Sequence, residues 1–427
     1  PTAPNFAARA QARLDAGRLQ EARLDFSEAL TRDPNDAEAH CGLGTVARLL
    51  GDPQAAEREH HLAVERYGRE GRYHFELGED RVAQKDLEGA IPHYRQAIAL
   101  RPDLAKAYAR LGRLYLALGR PEEAAPYASV AMVRNPKDAD AHLDLGRALS
   151  AQGHDDLAIH FFDRAIEIDP RDGDAYLHRG RTLARLDRRK EAIEDFGTAI
   201  AKDRLCVQAY LSRARAHAEE GQWQEALADT SAAEGLSPDL VDVQVTRGVV
   251  HVKWEKWAEA IEDFNRALSK DPSCREALVG QARAFALRGD PKAAVANYTS
   301  AIATLGERLA EADAALFRER AEARLSTADA AGAREDLSRA VGLRGAFLGD
   351  PEFHLLRGRV HSDLGLWEDA VDDFSEVLRL DPKPSSDLLH LRGTAYLWLE
   401  KWELAERDLR EALATDAKNA EAQAELA

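Results

Sequence analysis

The chain has 427 residues, 45% hydrophobic and 31% charged, with a formal net charge of −17. That length exceeds what one globular core supports, so the chain is either several domains or an elongated array. Its apolar content and only 16 prolines exclude a disordered scaffold, and its acidity argues against nucleic-acid or anionic-membrane binding as a general property. Three cysteines cannot build a disulfide framework and fit a reducing compartment, so a cytoplasmic location is expected. No apolar run is long enough for a membrane span and no leader pattern opens the chain, so neither is expected.

Residues 191–203 read EAIEDFGTAIAKD, 259–271 read EAIEDFNRALSKD, and 368–381 read EDAVDDFSEVLRLD. Laid back on the chain, this segment gives a 34-residue period whose units begin at 3, 37, 71, 105, 139, 173, 207, 241 and 275 without insertion. Residues 3–308 are thus nine regular units. Three more begin at 314, 351 and 386, so that 309–419 carries short insertions, and 420–427 reads as a partial unit or capping helix. Small or apolar residues at unit positions 4, 7, 8 and 11 describe one helical face, and those at 20, 24 and 27 another. Position 20 is Ala in every unit, from Ala22 to Ala405, position 27 is Ala except at Val377, and position 8 is Gly or Ala throughout. Each unit is therefore two helices that cross at positions 8 and 20. Gly at position 15, as in Gly17, Gly51 and Gly119, closes the turn between them. Pro at position 32, as in Pro34, Pro102 and Pro382, stops the second helix.

One internal rule pairs the two helices. Wherever position 7 is Arg, position 23 is Asp: Arg9/Asp25, Arg179/Asp195, Arg213/Asp229, Arg247/Asp263, Arg320/Asp336, Arg357/Asp373 and Arg392/Asp408. Where position 7 is Leu43, Leu77, Leu111, Leu145 or Gln281, position 23 is Glu59, His93, Tyr127, Phe161 or Asn297. The covariation predicts a partly buried contact across each hairpin.

No catalytic, cofactor or metal site emerges. GLGTVA at 42–47 fits a dinucleotide fingerprint by letters but falls inside a helix with no strand before it. His40, His74, His142 and His354 occupy position 4, and His217, His251 and His361 position 11, which read as packing slots too far apart for shared ligation. Trp223, Trp257, Trp367 and Trp402 recur at position 17 and read as packing as well.

These signatures together resemble the tetratricopeptide repeat over residues 3–419: an aromatic or His at 4, Leu-Gly or Arg-Gly at 7–8, Ala at 20, Phe or Tyr at 24, Ala at 27 and Pro at 32. Gln244, Arg204, Ala417, Leu337 and Leu409 depart from the pattern without changing it. The resemblance implies an all-α, right-handed superhelical solenoid of about twelve helix-turn-helix units, with positions 2, 5, 9, 12 and 13 of the first helices lining a groove. Position 9 is Arg113, Arg147, Arg181, Arg215, Arg283 and Arg359, beside aliphatic position 5 residues Leu143, Leu177, Leu211 and Val245, with Trp398 as an aromatic anchor. Such a groove suits a protein or peptide partner carrying carboxylates or phosphates next to hydrophobic anchors. Acids at position 2, such as Asp140 and Asp174, offer the opposite reading, in which each arginine is neutralised internally. The Lys and Asn of the family's two-carboxylate clamp are absent, as is its asparagine ladder. The resemblance implies a non-catalytic interaction scaffold. Because the chain opens on Pro1, a regulatory or substrate-recruiting arm of a larger enzyme is the alternative.

Overall fold

The computed structural model describes residues 2–306, 309–343, 347–381, 383 and 385–426. Among them the regular elements are α-helices and one 3-10 turn, Glu311–Asp313, with no strand. Two compact units divide the chain, Pro1–Ala216 and His217–Ala427. The first contains α1 (Ala3–Asp15), α2 (Leu19–Arg32), α3 (Ala37–Leu49), α4 (Pro53–Arg66), α5 (Gly71–Ala83), α6 (Leu87–Leu100), α7 (Ala105–Ala117), α8 (Pro121–Arg134), α9 (Ala139–Ala151), α10 (Asp155–Ile168), α11 (Gly173–Arg185) and α12 (Arg189–Lys202). The division falls within α13 (Val207–Glu219). The second contains α14 (Trp223–Leu236), α15 (Val241–Lys253), α16 (Trp257–Lys270), α17 (Arg275–Arg288), α18 (Pro291–Ala303), α19 (Ala314–Leu325), α20 (Ala330–Gly342), α21 (Pro351–Asp363), α22 (Trp367–Leu380), α23 (Ser386–Trp398), α24 (Trp402–Thr415) and α25 (Ala420–Leu426).

Each first helix starts at position 1 of its repeat and each second helix at position 17, including the three repeats that follow insertions. Local chemistry explains the register. Position 15 is left-handed in all twelve turns: seven are Gly, and Lys85, Asp187, Glu255, Ala328 and Glu400 adopt φ between 57° and 63° there. A side chain in that region is disfavoured, so these five turns carry a cost that their glycine counterparts avoid. Pro53, Pro121 and Pro291 open their helices at the first position, where no N–H is needed. The side chains of Asp52, Asp86, Asp290 and Asp329 accept the orphan N–H groups of the first turn. Between repeats, Asp33, Asp169, Asp203, Asp271, Asp381 and Asp416 each accept a hydrogen bond from the N–H two residues on, so an Asx turn recurs at position 31. Pro382, at position 32, and Glu307 and Arg308, which end the ninth repeat, lie outside the described residues.

Every position 20 alanine is fully buried. Position 8 is small because it faces the position 24 side chain of its own hairpin: a Cβ on Gly78, Gly146, Gly180, Gly248 or Gly358 would stand 2.6–2.8 Å from the ring of Tyr94, Phe162, Phe196, Phe264 or Phe374. The same rings seal successive repeats, since a Cβ on Gly42 or Gly280 would strike Phe26 or Phe264 of the preceding repeat. At the far end, α25 buries Ala422 against Leu389, Leu409 and Ala412, and Asn419 ties it to Ser386 at 2.8 Å.

The predicted Arg/Asp contact is present in six hairpins. Arg9, Arg179, Arg320 and Arg392 each donate two hydrogen bonds to their aspartate, Arg357 donates three, and Arg247 donates one at 2.8 Å. Arg213 and Asp229 have one member in each compact unit. The aspartates are at most 6% exposed. Position 11, one turn beyond position 7, adds a second hydrogen-bond partner, a pairing the sequence did not announce. Arg13 and Arg324 reach Asp25 and Asp336, while His251 and His361 are hydrogen-bonded to Asp263 and Asp373 at 2.7 and 3.0 Å, so these histidines are polar partners of the aspartates as well as packing residues. Position 4 histidines staple one repeat to the preceding loop: His40, His142 and His354 donate through Nε2 to the carbonyls of Pro34, Pro136 and Leu348.

Candidate partner-binding surface

Four position 9 arginines lie on consecutive first helices: Arg113 on α7, Arg147 on α9, Arg181 on α11 and Arg215 on α13. A long side chain at position 9 reaches positions 6 and 2 of the following first helix, 31 and 27 residues onward, so the next repeat decides whether its charge is met. Arg113 meets Asp144 at 2.9 Å and Asp140 at 3.0 Å. Arg283 on α17 likewise meets Glu319 through two bonds of 2.7 and 2.8 Å. These two behave as the internal-neutralisation reading expects.

Arg181 differs. Its guanidinium donates to Ser212 Oγ at 3.2 Å and Gln208 Oε1 at 2.8 Å, both uncharged. Arg147 has one 3.3 Å contact with Asp144, which Arg113 already engages. Burial, reinforced by Arg215 and Arg147 against the opposing pull of Cys206 and Asp174, holds Arg181 below the usual arginine range. Burial also acts on Arg113, but Asp144 and Asp140 outweigh it and raise that group. The neighbouring His178 is pushed down to about 3 by burial and then by Arg147 and Arg181, so its ring is neutral and contributes no charge at physiological pH. Arg359, on α21, is exposed with no ion pair among the described residues.

The aliphatic stripe expected beside these arginines is not presented. Leu143, Leu177, Leu211 and Val245 are 6, 5, 3 and 1% exposed. Position 5 stands three residues before position 8 and shares its buried face, so Leu143 packs with Phe162 and Leu177 with Phe196 inside the hairpin cores. Trp398 is exposed, with its ring stacked on Trp367 at 5.2 Å and an interplanar angle of 2°. Trp402, expected to pack, is exposed as well. Its counterparts Trp223 and Trp367 stack on a tryptophan of the following repeat, Trp254 and Trp398.

One constellation imitates a catalytic triad. Thr45 Oγ1 lies 3.3 Å from His60 Nε2, and His60 Nδ1 lies 2.5 Å from Asp80. The hydrogen-bond accounting disarms it. His60 Nε2 is 3.0 Å from the Cys41 carbonyl, which only accepts, so that nitrogen carries a hydrogen and has no lone pair for the threonine proton. Thr45 itself donates to the same carbonyl at 3.0 Å. The arrangement is a buried hydrogen-bond network, and Arg48 completes it through Asp80.

Tetratricopeptide repeat models match residues 7–68, 110–173, 177–240, 245–306 and 318–384, and a TPR repeat model matches 78–119. The matches cover well over half of the sequence, and the chain belongs to the tetratricopeptide repeat family. That repeat is typically a non-catalytic scaffold. The crystal structure of the APC/C hetero-tetramer Cut9-Hcn1 aligns at a TM-score of 0.52 and 17% identity, over 100% of this chain and 89% of that one, and shares the fold. The crystal structure of yeast Tom70 aligns at 0.48 and 14% identity, over 97% and 98%. Type IV pilus assembly protein PilF of Pseudomonas aeruginosa is 27% identical over 112 residues, which span 26% of this chain and 44% of that protein. No helix among the described residues is long and apolar enough to cross a membrane.

Proposed function

We propose that this chain is a non-catalytic protein-interaction scaffold, and that its first unit captures an acidic segment of a partner protein along Arg147, Arg181 and Arg215. The observation that carries this reading is the unmet charge of Arg181, whose hydrogen bonds go to neutral acceptors while arginines stand on the helices before and after it. A guanidinium offers a planar fork suited to carboxylates, and Ser212 and Gln208 can release it at little cost because neither bond is an ion pair. Because Leu143, Leu177 and Leu211 are buried, charge and not an apolar stripe selects the partner. The family supports a scaffold role, as does the description of PilF as an assembly protein. The free thiols Cys41, Cys206 and Cys274 suit a cytoplasmic setting.

The test compares the wild-type chain with Arg147→Glu/Arg181→Glu/Arg215→Glu on an array of acidic peptides. Wild type is expected to retain a subset of them, with affinity falling as salt is raised past the point where the screening length is about 8 Å. The triple variant should lose that subset. Retention by the variant at wild-type strength would reject the reading.

A further inference from the structure

The second unit contains a cavity of about 400 Å³ between α15, α17, α18 and α19. Its apolar wall is made by Val252, Ala286, Leu287, Pro291 and Ala323. Leu287 is 58% exposed, so this wall is open to an occupant. The size is at the low end of ligand pockets, on the order of 300–1,000 Å³, and suits a side chain or two better than a large cofactor.

The polar side of the cavity has an uneven charge. Arg283 and Glu319 cancel through their two-bond ion pair, and Tyr298 donates its hydroxyl to Glu319 at 2.9 Å. Burial, then Glu319 and more weakly Glu322, hold the Tyr298 phenol above its usual range, against the pull of Arg283, so the hydroxyl stays a donor. Glu322, one turn further along α19, lines the same cavity, is exposed, and makes no ion pair among the described residues. The basic side chains near it in sequence are committed elsewhere. Arg318 is held by Asp350 and Glu352, while Arg320 and Arg324 are turned to Asp336. The cavity therefore has a net charge of about −1, set beside an aliphatic wall, at one of the two repeats, with that of Glu79, where position 9 is Glu.

We propose that this cavity receives a lysine or arginine side chain from a basic, apolar segment of a partner protein. The aliphatic stem lies along Leu287, Ala286 and Val252, and the cationic head pairs with Glu322. Long basic side chains bury their methylenes on apolar surface while the charge stays at a wet rim, which is the geometry offered here. The site is opposite in polarity to the Arg147–Arg181–Arg215 row and stands independently of it.

The experiment uses the full chain and two fluorescein-labelled peptides, one alternating lysine with leucine and one alternating glutamate with leucine, followed by anisotropy. The lysine peptide should bind saturably. Glu322→Gln should weaken it about tenfold and Leu287→Ala by about threefold, sizes typical of one charged contact and one partial apolar contact. Glu262→Gln, an equal charge change on an exposed carboxylate of α16, controls for attraction by the acidic protein as a whole and should leave binding unchanged. Circular dichroism melts of each variant establish that the fold is retained. Failure of the lysine peptide to bind wild type, or equal losses in Glu322→Gln and Glu262→Gln, overturns the proposal. Arg181→Glu should spare lysine-peptide binding, so a failure of the acidic-segment reading is told apart from a failure of this one.

Discussion

The hairpins α7/α8 and α11/α12 fill the same contact with opposite chemistry. In α7/α8 position 7 is Leu111, fully buried, and position 23 is Tyr127, whose ring stacks on Tyr115 at 5.7 Å. In α11/α12 the same positions hold Arg179 and Asp195, joined by two hydrogen bonds of 2.7 and 2.8 Å. Both hairpins keep helix starts 16 residues apart, alanine at position 20 and a left-handed residue at position 15. The hairpin is thus fixed by its small residues and its turn, while the 7/23 contact is interchangeable provided both members change together. A buried charge is tolerable with its partner and expensive without it.

The comparison breaks most sharply when one member is removed. Asp195→Ala should cost about 3–5 kcal/mol in urea unfolding, because Arg179 keeps only the half-exposed Asp163. Arg179→Leu/Asp195→Tyr, which imports the α7/α8 solution, should cost far less than the sum of the two single changes. Additive losses would show that the pair is not coupled. The two classes should also separate with pH. Burial raises the Asp373 carboxyl, but hydrogen bonds from His361, Arg357 and His354 outweigh this and lower it to about 2. A depressed carboxylate stabilises the fold above its unfolded value, near 3.8, and that contribution is lost as pH falls from there toward 2. Stability should therefore fall by about 2 kcal/mol over that window, and Asp373→Asn should flatten the dependence. Overpacking the shared crossing should ignore the chemistry at 7/23. Ala192→Leu and Ala124→Leu should each cost roughly 1–3 kcal/mol by denaturant midpoint, and a large difference between them would mean that the crossing is not common ground. Smallest is the turn. Ala328→Gly and Lys85→Gly should each raise stability by up to about 1 kcal/mol by relieving the left-handed backbone, partly offset by the greater freedom of glycine when unfolded.

The sequence was most informative where a repeat refers to itself. The period placed the helix starts, position 15 announced the turn, and the joint appearance of Arg and Asp at 7 and 23 disclosed a contact 16 residues apart. It was least informative where one repeat meets the next. Arg113 and Arg181 look identical at position 9, yet one faces Asp144 and the other Ser212, because the answer is written 31 residues downstream. Asking which acid stands 27 or 31 residues after each arginine would have separated them. The aliphatic run at position 5 was misassigned because a resemblance supplies the average groove of a family, whereas the three-residue spacing to position 8 already placed Leu143 and Leu177 on the buried face. Trp402 illustrates the same limit: its letter matches Trp367, but its exposure depends on what the following repeat puts over it.

The position 24 ring of Phe264 packs against Gly248 of its own hairpin and Gly280 of the next, and the Asx turn at position 31 rebuilds the same joint after six of the repeats. A block of 34 residues copied in frame therefore meets the surfaces its parent met, and a block excised in frame leaves two compatible ends. Such a chain can lengthen by duplication without redesigning an interior, and near-verbatim segments like 191–203 and 259–271 are the kind of trace that growth of this sort leaves behind.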